Sequence, residues 1–191
     1  MKLISKFFIV LLLFVSGSAI AQAPKFGHIS LQDLINVMPE RDSALVKLEK
    51  YGNELQETLT TWQNEYQTKL NTYQQKSATW TAAILEAKQK ELVDLQNRYE
   101  QYQQSANTDF QQTQQQLFAP VYKKANEVIA KIGKANNLVY IFDTTSGTIP
   151  YIDATLSTDV LPLAKADMKI PADKKPMQLK PAAEPSATPA K

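Results

Sequence analysis

The feature that most constrains this chain is the stretch of residues 53–119, which contains neither glycine nor proline. Gln, Glu, Lys, Leu and Ala dominate it, and these side chains lose little freedom in a helix. Apolar residues recur at steps of three and four or their sums, which is the 3.5-residue repeat of a supercoiled seam. The predicted seam residues are Leu55, Leu59, Trp62, Tyr66, Tyr73, Leu85, Leu92, Leu95, Tyr99 and Tyr102.

Two arrangements satisfy this repeat, namely one continuous rod or two arms folded back on each other. Residues 77–81 form the only Ser/Thr-rich interruption of the helical composition, so we favour a hairpin that turns near Thr79. Each arm would then be about 57 Å long. Such a turn brings the following pairs to matched heights: Tyr73 with Leu85, Tyr66 with Leu92, Leu59 with Tyr99, Trp62 with Leu95, and Leu55 with Tyr102.

Proline and glycine mark the base of this hairpin. Pro39 can open the first long helix, because proline is tolerated in a first helical turn. Pro120 lies at almost the same height on the returning arm, where we expect it to kink or break the helix. Gly52 should face residues 105–106. It is either a close contact between helices or a hinge, because glycine weakens a helix by roughly 1 kcal/mol relative to alanine.

Residues 22–38 and 120–164 predict a small β-containing body. We expect strands at residues 25–31, 138–142 and 148–152, a brief helix capped at Ser30, and an amphipathic helix after Pro120. Residues 156–164 predict a short closing helix. Three short strands make a poor independent core, so we expect several chains to share one sheet.

Five prolines in residues 165–191 predict a disordered Pro/Ala/Lys-rich tail. It is a solvated spacer or, alternatively, a contact for an envelope surface or a partner.

The first 21 residues have the pattern of a signal peptide. Lys2 and Lys6 precede an apolar run at residues 7–15, and small residues at 18–21 favour cleavage after Ala21. A retained anchor is the alternative, but the run is too short to span a bilayer comfortably. The absence of cysteine excludes a lipoprotein and disulfide bonds. We therefore expect a soluble, exported protein.

The charge balance argues against a nucleic-acid partner. Removal of residues 1–21 takes away Lys2 and Lys6 and no acid, so the 21 basic residues become 19, equal to the 19 acidic residues. A near-neutral chain lacks the basic stripe that neutralises phosphates.

Catalytic, metal and cofactor sites are not predicted. His28 is the only histidine and cysteine is absent, which argues against Ser-His or Cys-His catalysis. The glycines form no phosphate-binding loop and no metal-ligand cluster appears. Asp143 and Asp153 are interpreted as turn and cap residues. The acidic residues of the second arm are interpreted as a solvated face, namely Glu86, Glu91, Asp94 and Glu100. We therefore expect a protein that is not an enzyme.

The arms carry diffuse binding features instead. Glutamine is abundant between residues 56 and 116, which gives a wet surface without strong charge. Trp80, at the tip, is the first candidate for client contact, whereas burial is the alternative above all for Phe110. The off-seam apolar candidates are Tyr51, Leu70, Trp80, Ile84, Val93 and Phe110. Scattered weak contacts suit an unfolded partner that is held by multivalency.

Four segments stand in a characteristic order around the hairpin. They are KFGHI at residues 25–29, LINVMPE at 34–40, NLVYIFD at 137–143 and DATLSTDVL at 153–161. Over residues 25–164 the chain resembles the Skp (OmpH-like) family of periplasmic chaperones. The predicted fold class is mostly α with a small β body. In it, a long antiparallel coiled-coil hairpin arm (residues 39–119) stands on a short-stranded trimerisation sheet.

The resemblance implies a homotrimer whose three arms surround a cavity. It also implies an ATP-independent holdase that shields unfolded outer-membrane proteins in the periplasm. Well-known members are strongly basic, whereas residues 41–118 here contain eight basic and ten acidic residues. We therefore expect client binding to depend less on charge. The alternative function is a structural or adaptor coiled-coil protein of the cell envelope.

Overall fold

The computed structural model describes residues 23–179. The predicted signal peptide and residues 180–191 of the predicted tail lie outside the described residues. Within residues 23–179, no helix is both long enough and apolar enough to cross a membrane. The elements in chain order are β1 (Lys25–Ile29), α1 (Leu31–Val37), α2 (Pro39–Lys76), a 3-10 turn (Ser77–Thr79), α3 (Ala82–Ala135), β2 (Leu138–Asp143), β3 (Ser157–Asp159) and α4 (Leu161–Asp167).

Two helices account for most of the described chain. α2 has 38 residues and α3 has 54 residues, which correspond to about 57 Å and about 81 Å. Pro39 is at the start of α2, as predicted. The connection between α2 and α3 falls at residues 77–81, where the sequence predicts the tip.

The sheet is small and entirely parallel. Its strand order is β2-β1-β3, and β1 pairs in parallel with both neighbours. Along β1, Gly27 and Ile29 are buried while Phe26 and His28 lie on the other face, as the alternation of a strand requires. An added Cβ at Gly27 would lie 2.8 Å from the Leu138 side chain. Glycine therefore allows β1 to lie this close to its neighbours.

The core lies where the sheet meets α1, the start of α2 and the last third of α3. Buried residues of α3 recur at steps of four, three and four, which places them on one helix face. The Ser30 side chain accepts a hydrogen bond from the Asp33 N–H at 3.2 Å, so the predicted cap of α1 is confirmed. The principal core residues are Leu34, Ile35, Met38, Val121, Ala125, Val128, Ile132, Val160 and Ala164.

The third strand differs from the prediction. Residues 148–152 have no strand pairing, and β3 lies at Ser157–Asp159 instead. Pro150 explains the difference, because proline has no N–H to donate to a sheet. The Asp153 carboxylate accepts hydrogen bonds from the N–H and hydroxyl of Thr155 and turns the chain into β3. The closing helix consequently begins at Leu161, later than predicted.

Pro120 does not break the returning helix. α3 continues from Ala82 to Ala135 with Pro120 inside it. Val121 and Ala125, which follow directly, are almost fully buried in the body core. Their packing holds the helix together across the position where proline removes one backbone hydrogen bond.

The predicted disorder of residues 165–191 is wrong for the first part of this segment. α4 extends to Asp167, and Ile170 is buried in the core. Lys174 is paired with Asp42 of α2. The proline-rich composition does not predict these contacts. One buried isoleucine and a few polar contacts are enough to hold a short segment on an existing core, and they change the overall composition very little.

Candidate functional site

The two arms are in contact from the base to the tip. Lys69 pairs with Glu91 near the tip, and the rings of Trp62 and Tyr102 are 4.8 Å apart. Nearer the base, the Phe110 ring lies over Gly52. Residues that are progressively farther from the tip thus meet each other, so α3 returns along α2.

The predicted seam residues line this contact. Each of the ten is partly or fully buried, and Leu95 is the most buried at 2% exposure. Most residues around them on both arms are exposed. The heptad spacing therefore selected positions that are more buried than most of their neighbours.

The register of the arms differs from the prediction. Gly52 faces Phe110 rather than residues 105–106, and Tyr102 packs on Trp62 rather than on Leu55. A 3.5-residue repeat aligns apolar positions again after a shift of three or four residues, so spacing alone does not select the register. In the observed register the Phe110 ring lies over Gly52, a residue that has no side chain.

The off-seam candidates divide into two groups. Ile84 and Val93 are exposed, with Val93 at 50%. Tyr51, Leu70, Trp80 and Phe110 are half-buried. Phe110 packs on Gly52, which agrees with the alternative of burial for this residue. Trp80 also has a partner within the hairpin.

Trp80 closes the tip of the hairpin. Its ring meets that of Tyr73 edge to face, with centroids 5.9 Å apart. Its backbone N–H donates to the Ser77 carbonyl at 3.3 Å. The remaining surface of Trp80 borders a hollow of about 220 Å³ between the arms, together with Leu92 and the Lys69–Glu91 pair. Trp80 therefore has a packing role and also presents an accessible face.

The acidic face of α3 is not uniformly solvated. Glu91 accepts hydrogen bonds from Lys69 on the other arm and from Lys88, which lies 2.9 Å away on its own helix. These hydrogen bonds, first from Lys69 and then from Lys88, lower the pKa of Glu91 from 4.5 to about 2. The interpretation of Glu91 as part of an ordinary solvated face is wrong. Lys69 and Glu91 are 22 residues apart and lie on different helices, so no local sequence pattern predicts that they pair.

An open groove runs between the arms at mid-length. Its volume is about 430 Å³, and two tyrosine rings lie among amide side chains there. The groove offers hydrogen bonds and aromatic surface without enclosing a ligand. Its lining residues are Gln63, Tyr66, Gln96, Tyr99, Glu100 and Gln103.

The outer face of the sheet is apolar and exposed. Phe26, Tyr140 and Phe142 form a cluster of rings whose centroids are 6.2–6.5 Å apart, and Tyr140 is 62% exposed. Tyr151 and Leu156 extend this surface. The sequence reasoning missed it as a site. The signal was the unbroken apolar run of residues 138–142, because a strand that is apolar on both faces is usually covered on both.

The polar residues that were considered for chemistry have structural roles. His28 is hydrogen-bonded to the Ser157 hydroxyl at 2.9 Å across the sheet. The Asp143 carboxylate accepts hydrogen bonds from the Thr145 hydroxyl and from the N–H groups of Thr145 and Leu31. Burial raises the pKa of Asp143, but these hydrogen bonds outweigh burial and lower it. Among residues 23–179 there is no cluster of acidic residues and histidine that could hold a metal ion.

The fold is thus a two-helix arm with open grooves, mounted on a small parallel sheet. The chain belongs to the family of OmpH-like outer membrane proteins, whose model matches residues 25–163. This membership confirms the resemblance inferred from the sequence.

A solved structure shares the fold. It is a crystal structure at 2.83 Å resolution of a protein from Caulobacter crescentus CB15, described as an outer membrane chaperone (OmpH-like). The TM-score is 0.68 at 14% sequence identity, with 85% of this chain and 96% of that chain covered. A comparison with curated proteins gives no match.

The Gly52–Phe110 contact predicts a coupled effect on stability. Alanine favours a helix by roughly 1 kcal/mol over glycine, but its Cβ would lie 3.2 Å from the Phe110 ring. We expect Gly52→Ala to raise the free energy of unfolding by up to about 1 kcal/mol in a Phe110→Ala background, and by less in the natural chain. Urea unfolding of the four chains measures this difference. Equal effects in both backgrounds would exclude the packing role of Gly52. A hinge at Gly52 would instead appear as a narrower distribution of arm-tip distances in Gly52→Ala.

The depressed pKa of Glu91 predicts that acid loosens the tip. Because the folded pKa is about 2 and the ordinary value is 4.5, the stabilisation is present above pH 4.5 and is lost as pH falls toward 2. We expect Glu91→Gln to unfold at lower urea concentration than the natural chain at pH 6, and this gap to close near pH 2. Glu86→Gln is the matched control, since Glu86 is exposed on the same helix. A Glu91 pKa near 4.5 in an NMR titration would contradict the prediction.

Proposed function

We propose that this chain is an ATP-independent holdase chaperone that binds unfolded outer-membrane proteins in the periplasm. Membership of the OmpH-like family supports this function, as does the shared fold with a protein described as an outer membrane chaperone. The observation that carries the proposal is the long arm, whose grooves are open and lined by amide and aromatic side chains. Such grooves suit extended, unfolded segments better than a small ligand, which prefers an enclosed pocket.

The arms suit many weak contacts. Val93 and Ile84 are exposed apolar residues, and Trp80 presents one accessible face at the tip. Glutamine side chains between them can donate and accept hydrogen bonds, and they carry no charge that would favour an acidic or a basic client. A client that touches several such places at once gains affinity through multivalency, while each single contact stays weak enough to exchange. The client stays unfolded because it does not need to fit one shape.

The proposed assembly is a homotrimer built through the sheet. The exposed ring cluster at Phe26, Tyr140 and Phe142 continues into Tyr151 and Leu156. An apolar surface of this kind on a soluble chain marks an interaction site. Three strands also give too little core for one chain to be stable by itself. Three copies that pack their sheets together would direct three arms to one side and enclose a cavity.

Mixing the purified protein with a urea-unfolded outer-membrane β-barrel protein tests the function. On dilution of the urea, light scattering should be suppressed at about three chains per client, which is one trimer. Trp80→Ala should weaken this suppression, because it removes a large apolar side chain from the tip. The matched control is Tyr122→Ala, which removes an exposed aromatic ring near the body. Absence of suppression, together with tight binding to one folded partner, would favour the adaptor alternative.

The salt dependence of client affinity, measured in the same assay, distinguishes charge-driven capture from the proposed mode of binding. Several arm charges are engaged with each other, as in the Lys69–Glu91, Lys88–Glu91 and Lys50–Glu54 pairs. We expect client affinity to change little between about 50 and 300 mM salt, where screening would strongly weaken long-range attraction. A steep loss of affinity over this range would contradict the proposed mode of capture.

A charge on the ring cluster should dissociate the assembly. Tyr140→Lys places an ammonium group in the proposed interface, where burial of an unpaired charge is costly. We expect the molar mass from light scattering to fall from three chains to one. Val93→Lys, which puts the same charge on the exposed side of an arm, should leave the mass unchanged. A Tyr140→Lys protein that stays trimeric would exclude this face as the contact between copies.

A further inference from the structure

Residues 168–179 form a strap between the end of α4 and the root of the arm. Lys169 has a φ of 56°, in the left-handed region, and so redirects the chain after α4. Ile170 then inserts into the body core, where it is 5% exposed. Beyond Ile170 the strap extends to the first turn of α2. The whole strap lies outside residues 25–163, which match the family model.

Two polar contacts join the strap to the first turn of α2. Lys174 Nζ lies 2.7 Å from Asp42 Oδ2, and Arg41 Nη1 donates to the Met177 carbonyl at 3.1 Å. The Lys174, Asp42 and Arg41 side chains are largely buried, at 25%, 19% and 17% exposure. Salt screens such pairs less than exposed ones. Loss of Lys174 would also leave the Asp42 carboxylate away from water without its strap partner.

The other helix of the arm has a weak point near the same height. Pro120 has no N–H to donate to the carbonyl of residue 116, so α3 lacks one hydrogen bond where the arm leaves the body. Lys124, one turn further along α3, pairs with Glu40 of α2. The first turn of α2 is therefore tied to α3 and to the strap at once.

We propose that the strap is a brace that fixes the angle between the arm and the body. The strap holds the first turn of α2 in place. Because this turn is paired with α3, the strap thereby resists bending of α3 at Pro120. When the strap is docked, α2 cannot tilt at its root without separating Lys174 from Asp42 and Arg41 from the Met177 carbonyl. When the strap is released, the first turn of α2 loses its two contacts with the strap, the Lys174–Asp42 pair and the hydrogen bond from Arg41 to the Met177 carbonyl. The brace concerns geometry within one chain and does not depend on the proposed function.

Lys174→Ala in the full-length chain tests the brace. Hydrogen–deuterium exchange should become about fivefold faster or more at residues 40–44 and 117–124, because these segments open more often without the brace. Exchange at residues 85–95, near the tip, should not change. Lys175→Ala is the matched control, since Lys175 is the exposed neighbour of Lys174, and it should leave every segment unchanged.

Bending of α3 can be measured directly. The chain has no cysteine, so Gln101→Cys and Lys134→Cys can carry spin labels on the two sides of Pro120, about 50 Å apart along the helix. Labelled chains are mixed with excess unlabelled chains, so that distances within one chain are read. We expect a broader distance distribution with Lys174→Ala and an unchanged one with Lys175→Ala.

Two results would overturn the brace. The first is faster exchange confined to the strap and residues 40–44, with an unchanged α3 distance distribution, which would make the strap a docked tail without influence on the arm. The second is an unchanged protein by both measurements. If Lys174→Ala destabilises the whole body, Arg41→Gln, which removes the contact to the Met177 carbonyl, decides by the same two readouts.

Discussion

The structure depends on one helix that belongs to both the arm and the body. α3 contributes Leu95 and Ala106 to the contact between the arms, and Val121, Ala125 and Ile132 to the body core. Both buried stretches lie on the same 54-residue helix. Because helix stability in proteins comes mainly from the packing of an apolar face, the body anchors the arm through continuous backbone rather than through a flexible linker. The position where this continuity is weakest, Pro120, lies one turn before Lys124, which pairs with Glu40 in the first turn of α2.

Some charges of the arms are paired within the chain. Glu91 is held by Lys69 and Lys88 at the tip, and Glu40 is held by Lys124 at the base. Charges that are neutralised by neighbours fix the arms to each other and project little field into solution. The arms present amide groups with aromatic and aliphatic side chains at intervals. In the function that we propose, such a surface suits extended segments of many sequences.

Local patterns predicted the elements well and their contacts less well. The heptad spacing predicted ten positions that are all at least partly buried, and the Ser/Thr-rich residues 77–81 located the connection between α2 and α3. Both signals depend on neighbours within a few positions. The pairing of Gly52 with Phe110 was missed, since a repeat permits several registers. The apolar residues of 148–152 predict a strand that Pro150 prevents, and the composition of the tail predicts disorder where its first part is docked. In the second case, Lys174 finds its partner Asp42 more than 100 residues earlier in the chain.

The sequence by itself determined that this chain forms two long helices with one apolar stripe, and short apolar strands beside them. These properties follow from composition and spacing, which act locally. Tertiary structure decided the register of the arms, the identity of the third strand, the pKa of Glu91 and the position of the strap. Each of these depends on which distant side chains meet. Whether Lys69 reaches Glu91, or a ring fits over Gly52, is settled only when the whole hairpin closes on the body.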